Sequence, residues 1–355
     1  MKMEDIAKLA NVSKSAVSLA LSGKPGISEE TRFKILKIVK ESGYLPRSMI
    51  KADKVYGLTK TLRFVACTNS GIVLEQYYKQ PFFMELIHDI EEQCRARGYS
   101  LFFSSIQTDN LEDAIDTMET EHESNGIILL GTNLTQEQIR LIAQKQINLV
   151  VLDTCLETFN ANFIVMNNVM GAYQAGRHLL DLGHRQIGYV QSHSRMYNFN
   201  SRKKGFLQAL AEEHLSVDDE HFFSVSPTIV SSQDEFMQKI KALKTPLPTA
   251  LFCECDYIAI STIKSLIELG IRVPQDISIV GFDNIQESTI ITPELTTVHV
   301  EKGKIAELAV TKLFDMIENG DSVKMKSFID TQLVVRQSCR AVGAPAEAQP
   351  ALPGL

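Results

Sequence analysis

Apolar runs that alternate with amphipathic helical segments from Leu62 onward restrict the fold of this chain more than any other feature. RFVACTNS, PFFMELIHDIEEQCRARG and YSLFFSS predict a strand, a helix and a strand, and the order recurs around AYQAGRHLLDLGHRQIGYV and YIAISTIKSLIELGIRVPQDISIVGF. In each unit a glycine ends the helix: Gly98, Gly183 and Gly270. Strands that are apolar throughout are buried on both faces, as in parallel sheets between helices. The pattern predicts an α/β architecture with two sheets, at about residues 62–160 and 163–291.

The amino-terminal segment has a different pattern, which predicts a small helical domain. In SKSAVSLAL, Ser13 is suited to cap a helix in which Val17 and Leu21 share one apolar face. A helix this short needs partners, and the flanking segments MEDIAKLA and SEETRFKILKIVKESGY supply two further apolar faces. The turn NVS joins the first two helices. This arrangement is a helix-turn-helix, whose second helix enters the major groove of DNA.

Charge is distributed unevenly along the 355 residues. Residues 1–60 hold 12 Lys and Arg against 6 Asp and Glu, whereas the other 295 residues hold 24 against 37, which accounts for the total of -7. A basic head attracts phosphates and an acidic body is repelled by them, so the distribution favours a nucleic-acid partner for the head alone. The lysines at 34, 37 and 40 are expected on a solvated or phosphate-facing surface.

The cysteines and the absence of long apolar runs indicate a soluble protein of a reducing compartment. Cys253 and Cys255 form the only close pair, on one face of a predicted strand, and a role as core residues is favoured over a metal or redox pair. Met1 precedes a charged helix without an apolar signal region, and no run of eighteen apolar residues occurs. The expected location is therefore the cytoplasm, without membrane contact.

The stretch MEDIAKLANVSKSAVSLALSGKPGISEETRFKILKIVKESGYLP resembles the DNA-binding segment of the lactose/galactose repressor family, and matching segments continue to Val334. The resemblance implies an all-α helix-turn-helix headpiece and an α/β core of the periplasmic-binding-protein type with two parallel-sheet subdomains. The implied parts are a headpiece at 1–46, a hinge at 47–61, a core at 62–340 and a disordered Ala/Pro-rich tail at 341–355. The core divides into a first subdomain at about 62–160 and 293–325 and a second at about 163–291 and 326–340.

The resemblance also places DNA-reading positions at Lys14, Ser15 and Leu19. Leucine forms no hydrogen bond to a base edge, so the operator is expected to show little dependence on guanine at the position facing Leu19. In the hinge, Asp53 stands where the family has an apolar wedge for the minor groove, and a carboxylate is unsuited to that role. The wedge is therefore expected to be absent, replaced by another linker geometry, or shifted to Met49, Ile50 or Val55. The residues predicted to contact DNA are Ser13, Lys14, Ser15, Ser18, Leu19, Lys24, Ser28, Lys51 and Lys54.

Ligands of open parallel sheets bind beyond the carboxyl ends of the strands, where the strands LVVLD and SIVGFD place Asp153 and Asp283. Each could instead cap a helix or form a salt bridge between subdomains. By resemblance, Arg202 crosses the cleft, Phe82 and Phe83 form an aromatic pair, and Cys255-Asp256 replaces the usual Asn-Asp. A guanidinium beside two carboxylates suits a hydroxyl-rich ligand. The predicted effector residues are Phe82, Phe83, Asp153, Arg202, Cys255, Asp256 and Asp283.

The sequence also favours a regulator over two other classes. Dinucleotide, P-loop, HExxH and GxSxG motifs are absent, so no enzyme activity, cofactor or metal is predicted, although Asp153 and Asp283 could imitate a glycosidase pair. His178 and His184 are expected to have structural roles. The prediction is an allosteric repressor that binds operator DNA as a homodimer and a sugar-like effector between its subdomains. The alternative is a cytosolic sugar receptor without a DNA role.

Overall fold

The structure is a computed structural model that describes residues 3–21, 26–42, 60–68, 77–121 and 123–343. The chain separates into two units: residues 1–60, which contain the headpiece, and residues 61–355, which contain the core. Lys24, Met49, Ile50, Lys51, Asp53, Lys54, Val55 and the tail from residue 344 lie outside the described residues, so the predictions made for them stay predictions.

Three short helices form the headpiece: α1 (Met3–Ala10), α2 (Lys14–Leu21) and α3 (Glu29–Ser42). Each contributes small or branched apolar side chains at helical spacing to one buried cluster, as the sequence predicted. The buried members are Ile6, Ala7, Ala10, Val17, Ala20 and Ile35. Because none of the helices could bury its apolar face alone, the three fold as a unit.

Side-chain caps fix where the headpiece helices begin. Oγ of Ser13 accepts a hydrogen bond from the backbone N–H of Ala16 at 3.1 Å, and Oγ of Ser28 accepts one from Thr31 at 3.2 Å. Arg32 on α3 donates to the carbonyls of Leu19 and Ala20, at 3.2 and 3.3 Å. These carbonyls belong to the last turn of α2, so this arginine ties the end of α2 to α3.

The core consists of twelve strands and eight longer helices within the described residues. The strands are β1 (Thr61–Thr68), β2 (Ser100–Gln107), β3 (Gly126–Leu130), β4 (Leu149–Leu152), β5 (Asn162–Met166), β6 (Ile187–Ser192), β7 (Phe222–Val225), β8 (Ala250–Cys253), β9 (Ser278–Val280), β10 (Thr297–His299), β11 (Lys326–Ile329) and β12 (Gln332–Val334). The helices are α4 (Pro81–Ala96), α5 (Leu111–Glu121), α6 (Gln136–Lys145), α7 (Asn168–Asp181), α8 (Tyr197–Glu212), α9 (Asp234–Lys241), α10 (Asp256–Glu268) and α11 (Lys302–Asn319).

Two parallel sheets organise the core, which confirms the predicted α/β architecture. The first sheet has the order β11-β5-β4-β3-β1-β2 and the second has the order β7-β6-β8-β9. Inner strands such as β3, β4 and β5 are buried along their whole length, because helices cover both faces of the sheet. The three helix-ending glycines, Gly98, Gly183 and Gly270, have left-handed φ values of 74°, 88° and 76°.

The subdomain boundaries predicted near residues 163 and 326 are wrong. Strand β5 pairs with β4, and β11 pairs with β5, so residues 162–166 and 326–329 both belong to the first sheet. The chain crosses between the subdomains in the antiparallel pair β10–β12 and returns to the second sheet near Ser338, whose Oγ donates to the carbonyl of Ile279 at 2.6 Å. A short apolar strand carries no sign of which sheet it will join, which explains the error.

Helices α7 and α8 pack unusually closely in the second subdomain. A Cβ atom added to Gly205 on α8 would lie 2.0 Å from the carbonyl oxygen of Val169 on α7. Only glycine permits this approach of the two backbones. Since α8 also carries Arg202, the close packing fixes the position of that side chain relative to α7.

None of the helices within the described ranges is long and apolar enough to cross a membrane. In the same ranges, no group of three or more His, Cys, Asp or Glu side chains is placed to hold a metal ion.

Candidate effector cleft and DNA-reading helix

The predicted DNA-reading residues of α2 lie mostly on its outer surface. Ser13, Lys14, Ser15 and Ser18 are exposed, whereas Leu19 is half-buried. A Cβ atom at Gly26 would lie 3.2 Å from Cδ1 of Leu19, so this leucine approaches the segment between α2 and α3. The chemistry of α2 therefore consists of one ammonium and several hydroxyl groups, which suits phosphates and base edges.

A cavity between the two subdomains brings together six of the predicted effector residues from separate parts of the chain. They are Phe82, Phe83, Asp153, Arg202, Cys255 and Asp283. Side chains that the sequence prediction missed complete the lining: Gln80, Met196, Asn198, Phe199, Pro227, Thr228 and Tyr257. The space between these atoms is about 420 Å³, including the mouth.

Asp153 follows β4 and connects the two subdomains across this cavity. Its backbone is left-handed, with φ of 64°, and its side chain is buried. Oδ2 accepts a hydrogen bond from the hydroxyl of Thr132 in the first subdomain, and Oδ1 accepts one from Nδ2 of Asn198 on α8, at 2.7 Å. Burial raises the pKa of Asp153 to about 6, although the hydrogen bonds from Thr132 and Asn198 oppose the shift.

Arg202 on α8 is buried and uses most of its donors within the protein. Nε donates to Oδ1 of Asn168 at 2.9 Å, Nη1 to the carbonyl of Glu254 at 2.6 Å, and Nη2 to Oδ1 of Asp283 at 2.9 Å. The guanidinium carbon lies 3.7 Å from the centre of the Phe282 ring, so one face of the group is covered. The predicted residues Arg202 and Asp283 therefore form a buried ion pair.

Asp283 is the carboxylate with an uncommitted oxygen. Its φ is 118°, a conformation that L-residues rarely adopt, and its backbone N–H donates to the carbonyl of Val298. Oδ1 accepts the hydrogen bond from Arg202, and among the described residues no donor contacts Oδ2. Burial raises the pKa of Asp283, whereas the Arg202 charge opposes the rise. Because Asp283 lines the cavity, Oδ2 is a candidate acceptor for a ligand.

Asp256 does not line the cavity, contrary to the sequence prediction. Oδ1 accepts a hydrogen bond from the hydroxyl of Thr297 at 2.6 Å, and Oδ2 accepts one from the backbone N–H of Ile285 at 3.0 Å. Burial and the neighbouring Asp283 charge raise its pKa to about 8. The side chain therefore joins the start of α10 to β10 and to the segment after β9, and it does not face the cavity.

The cysteine pair has no redox partner in the described residues, since both thiols are free and buried. Cys253 donates to the hydroxyl of Thr262 at 3.9 Å, and Cys255 donates to the carbonyl of Pro227 at 3.8 Å. Burial raises the pKa of the Cys255 thiol. Cys253 has the packing role that the sequence favoured, whereas Cys255 forms part of the cavity wall.

Aromatic side chains form a large part of the wall. The rings of Phe82 and Phe83 meet edge to face at 5.6 Å, and the backbone N–H of Phe82 donates to the hydroxyl oxygen of Tyr257 at 3.2 Å. Tyr77 packs under Phe83 and is buried, while Tyr78 is exposed, and neither lines the cavity. The bond between Phe82 and Tyr257 joins α4 of the first subdomain to α10 of the second.

One missed residue carried a signal in the sequence. Asn198 precedes Arg202 by four positions on α8, so both lie on the same face of the helix.

His184 has the structural role that was predicted, because its ring nitrogens contact the Thr249 hydroxyl at 2.9 Å and the Arg340 carbonyl at 3.1 Å. His178 is partly buried, and burial lowers its pKa.

Comparison with known proteins agrees with this geometry. Residues 2–47 match the bacterial regulatory proteins of the lacI family, and residues 177–339 match the periplasmic binding protein-like domain. The HTH-type transcriptional repressor PurR of Mannheimia succiniciproducens is 30% identical over 344 residues, which cover 96% of this chain and 99% of that protein. The chain belongs to the lacI family. This lacI-family protein is accordingly a transcriptional regulator with a helix-turn-helix domain and a ligand-binding domain, and the relatives are repressors instead of enzymes.

Two further comparisons extend the likeness of this lacI-family protein. The ribose operon repressor of Haemophilus influenzae is 30% identical over 344 residues, which cover 95% of this chain and 98% of that repressor. The structure of the lac repressor dimer bound to operator and the anti-inducer ONPF has a TM-score of 0.70 at 22% identity, with 96% of this chain and 99% of that chain covered. The predicted fold and family are thereby confirmed.

Proposed function

We propose that this lacI-family repressor acts in the cytoplasm as a homodimer that presents two copies of α2 to a roughly palindromic operator. The exposed hydroxyls and the Lys14 ammonium of α2 supply the DNA contacts, and the basic charge of residues 1–60 supplies attraction to phosphate. The half-buried Leu19 adds no hydrogen bond to a base, so we expect little guanine preference at its position.

We assign the cavity between the subdomains as the effector site. The observation that carries this assignment is that Asp153, Arg202 and Asp283, which come from distant segments, meet around one buried space between the two sheets. A ligand there contacts both subdomains, so it stabilises one relative angle of the subdomains over another. This differential affinity is the source of allosteric control, and it requires operator and effector to influence each other's binding reciprocally.

A sugar-like effector fits the hydrogen-bonding groups of the site, since Oδ2 of Asp283 accepts from a hydroxyl group. The similarity to a protein named a ribose operon repressor supports the same class.

We place the dimer contact on the edge strand β2. Phe103 on this strand is 51% exposed, and an exposed apolar side chain on a strand edge is a surface that a second copy can cover. The lac repressor structure with this fold is described as a dimer on its operator.

A DNA-binding titration of the full-length chain tests the proposal. Selection from random duplexes should yield a roughly palindromic sequence, and affinity for it should fall steeply with salt. Lys14→Ala should weaken operator binding by about tenfold, since a base or phosphate contact of this kind contributes about 1–3 kcal/mol. Lys264→Ala, at an exposed lysine of the core, is the matched control and should leave binding unchanged. Equal affinity for selected and random DNA would favour a sugar receptor without a DNA role.

A further inference from the structure

The charged groups of the effector cleft are unbalanced. Among the described residues that line the cavity, three side chains are charged at neutral pH. They are the carboxylates of Asp153 and Asp283 and the guanidinium of Arg202. Two further cations lie behind the cavity wall without lining it, and each is paired with a carboxylate. Arg195 contacts both oxygens of Glu254 at 2.9 and 2.7 Å. Lys302, whose Nζ lies 5.5 Å from the centre of the Phe82 ring, pairs with Glu85 at 3.0 Å. A ligand therefore meets two carboxylates and a single guanidinium.

The guanidinium of Arg202 is not available as a fork for an anion. Four of its five N–H groups already donate to protein acceptors, which are Asn168, Glu254, Asp283 and the sulfur of Met166. One face is covered by Phe282 at 3.7 Å. Recognition of a phosphate or carboxylate by arginine requires two adjacent N–H groups that point at the anion, and this side chain lacks such a pair.

The two carboxylates differ in what they offer. Both oxygens of Asp153 accept hydrogen bonds from Thr132 and Asn198, so Asp153 contributes its charge more than a binding position. Arg202 donates to Oδ1 of Asp283, which leaves Oδ2 able to accept from a ligand hydroxyl or N–H. Any negative group on the ligand would lie in a buried space beside this oxygen, where like charges repel strongly because little water screens them.

The remaining wall is largely apolar and aromatic, with Gln80, Asn198 and Thr228 as its polar members. Phe82, Phe83, Phe199 and Tyr257 contribute rings, and Met196 and Cys255 contribute sulfur. Rings of this kind pack against flat apolar surfaces, such as the face of a pyranose or of an aromatic group.

We infer that the cleft selects an effector without negative charge, which presents a flat apolar face to the phenylalanine wall and a hydroxyl or N–H donor to Asp283, and that it rejects phosphorylated and carboxylated forms of the same compound. This inference rests on the proposed function of the cleft as the effector site and names the ligand class.

Matched ligand pairs test the inference in the full-length protein by isothermal titration calorimetry. The pairs are ribose with ribose 5-phosphate, glucose with glucuronate, and adenosine with its 5′-monophosphate. Within a pair that binds, the uncharged member should bind at least about 100-fold more tightly than the anion, since repulsion between like charges in a buried contact costs several kcal/mol. Equal affinity within a pair, or tighter binding of the anion, would overturn the inference.

A charge variant gives a second measurement. Asp283→Asn should weaken binding of the uncharged ligand. It should also reduce the difference in affinity between the two members of a pair, because one negative charge is removed from the cavity. Asp181→Asn, at an exposed carboxylate that pairs with Arg177, is the control and should change neither value. The wild-type comparison decides the matter where Asp283→Asn fails to fold. A ligand that binds without changing operator affinity would contradict the allosteric function while leaving the ligand class intact.

Discussion

Nδ2 of Asn198 lies 2.7 Å from Oδ1 of Asp153, and this hydrogen bond joins helix α8 of the second subdomain to the segment after β4 in the first. Both side chains are buried. Because the bond spans the cleft, it stabilises the relative position of the subdomains found here, and any change in that position must break or lengthen it.

Replacement of this donor by an acceptor should open the cleft. In Asn198→Asp a second carboxylate would face Asp153, so we expect the free energy of unfolding to fall by about 2–3 kcal/mol, the cost of an unsatisfied buried group. Effector affinity should fall as well. Urea unfolding and calorimetry measure the two effects. Asn200→Asp, on the exposed side of the same helix, is the control, and an equal loss in both variants would argue against the bridging role.

The pKa of Asp256 predicts a pH dependence of stability. Burial raises this pKa to about 8, so the folded protein holds the proton more tightly than the unfolded chain does. Its contribution to the free energy of unfolding therefore declines as pH rises from about 4 to about 8. Asp256→Asn removes this contribution, so the difference between wild type and variant should change with pH across that window.

Asp276 provides a control of opposite sign for this measurement. Its hydrogen bonds with Arg272 lower its pKa to about 2, so its contribution is present above the unfolded pKa and is lost as pH falls below about 4. Asp276→Asn should thus lower stability by the same amount at every pH between about 5 and about 8, so that the shape of the curve in this range stays that of the wild type. Urea midpoints at several pH values measure both variants, and parallel curves for wild type and Asp256→Asn would refute the raised pKa.

Two glycine substitutions should have opposite effects. Gly205→Ala places a Cβ 2.0 Å from the backbone oxygen of Val169, so α7 and α8 must separate, at a cost of about 3 kcal/mol or more. Gly303→Ala meets only Oδ2 of Asp89 at 3.7 Å and adds a better helix former near the start of α11, so stability should rise by up to about 1 kcal/mol. Thermal unfolding distinguishes them, and a neutral Gly205→Ala would show that the helices tolerate separation.

A charge on the edge strand β2 should dissociate the proposed dimer. Phe103→Glu places a carboxylate on the surface where we locate the second copy, so the mass measured by light scattering should fall toward the value of one chain. Phe328→Glu is the control, because Phe328 is 49% exposed on β11 at the opposite edge of the same sheet. A dimer that persists in Phe103→Glu, or dissociates in Phe328→Glu, would move the contact elsewhere.

Local chemistry made parts of this fold predictable from the sequence. Glycines mark the ends of helices because the left-handed backbone suits glycine, and the headpiece core follows from apolar spacing, as with Ile6 and Val17. The sheet that holds β5 and β11 was not predictable in the same way, because long-range pairing decides it.

The candidate site was likewise predictable from the sequence only in part. Strand ends indicated Asp153 and Asp283, and both line the cavity. Cys255 and Asp256 are neighbours, yet Cys255 faces the cavity from an extended backbone whereas Asp256 begins the helix and points away. The sequence places both at the end of β8, but the local backbone angles decide which one a ligand meets.

Strand β11 and the segment around Ser338 follow the long helices of the core along the chain, yet one completes the edge of the first sheet and the other attaches to the second. Neither sheet of the core is therefore complete until residues 326–338 have been synthesised. The headpiece needs none of them, since its core lies within residues 6–35. A chain truncated before residue 326 would consequently keep the headpiece core but lack the edge strand of the first sheet and the segment that attaches to the second.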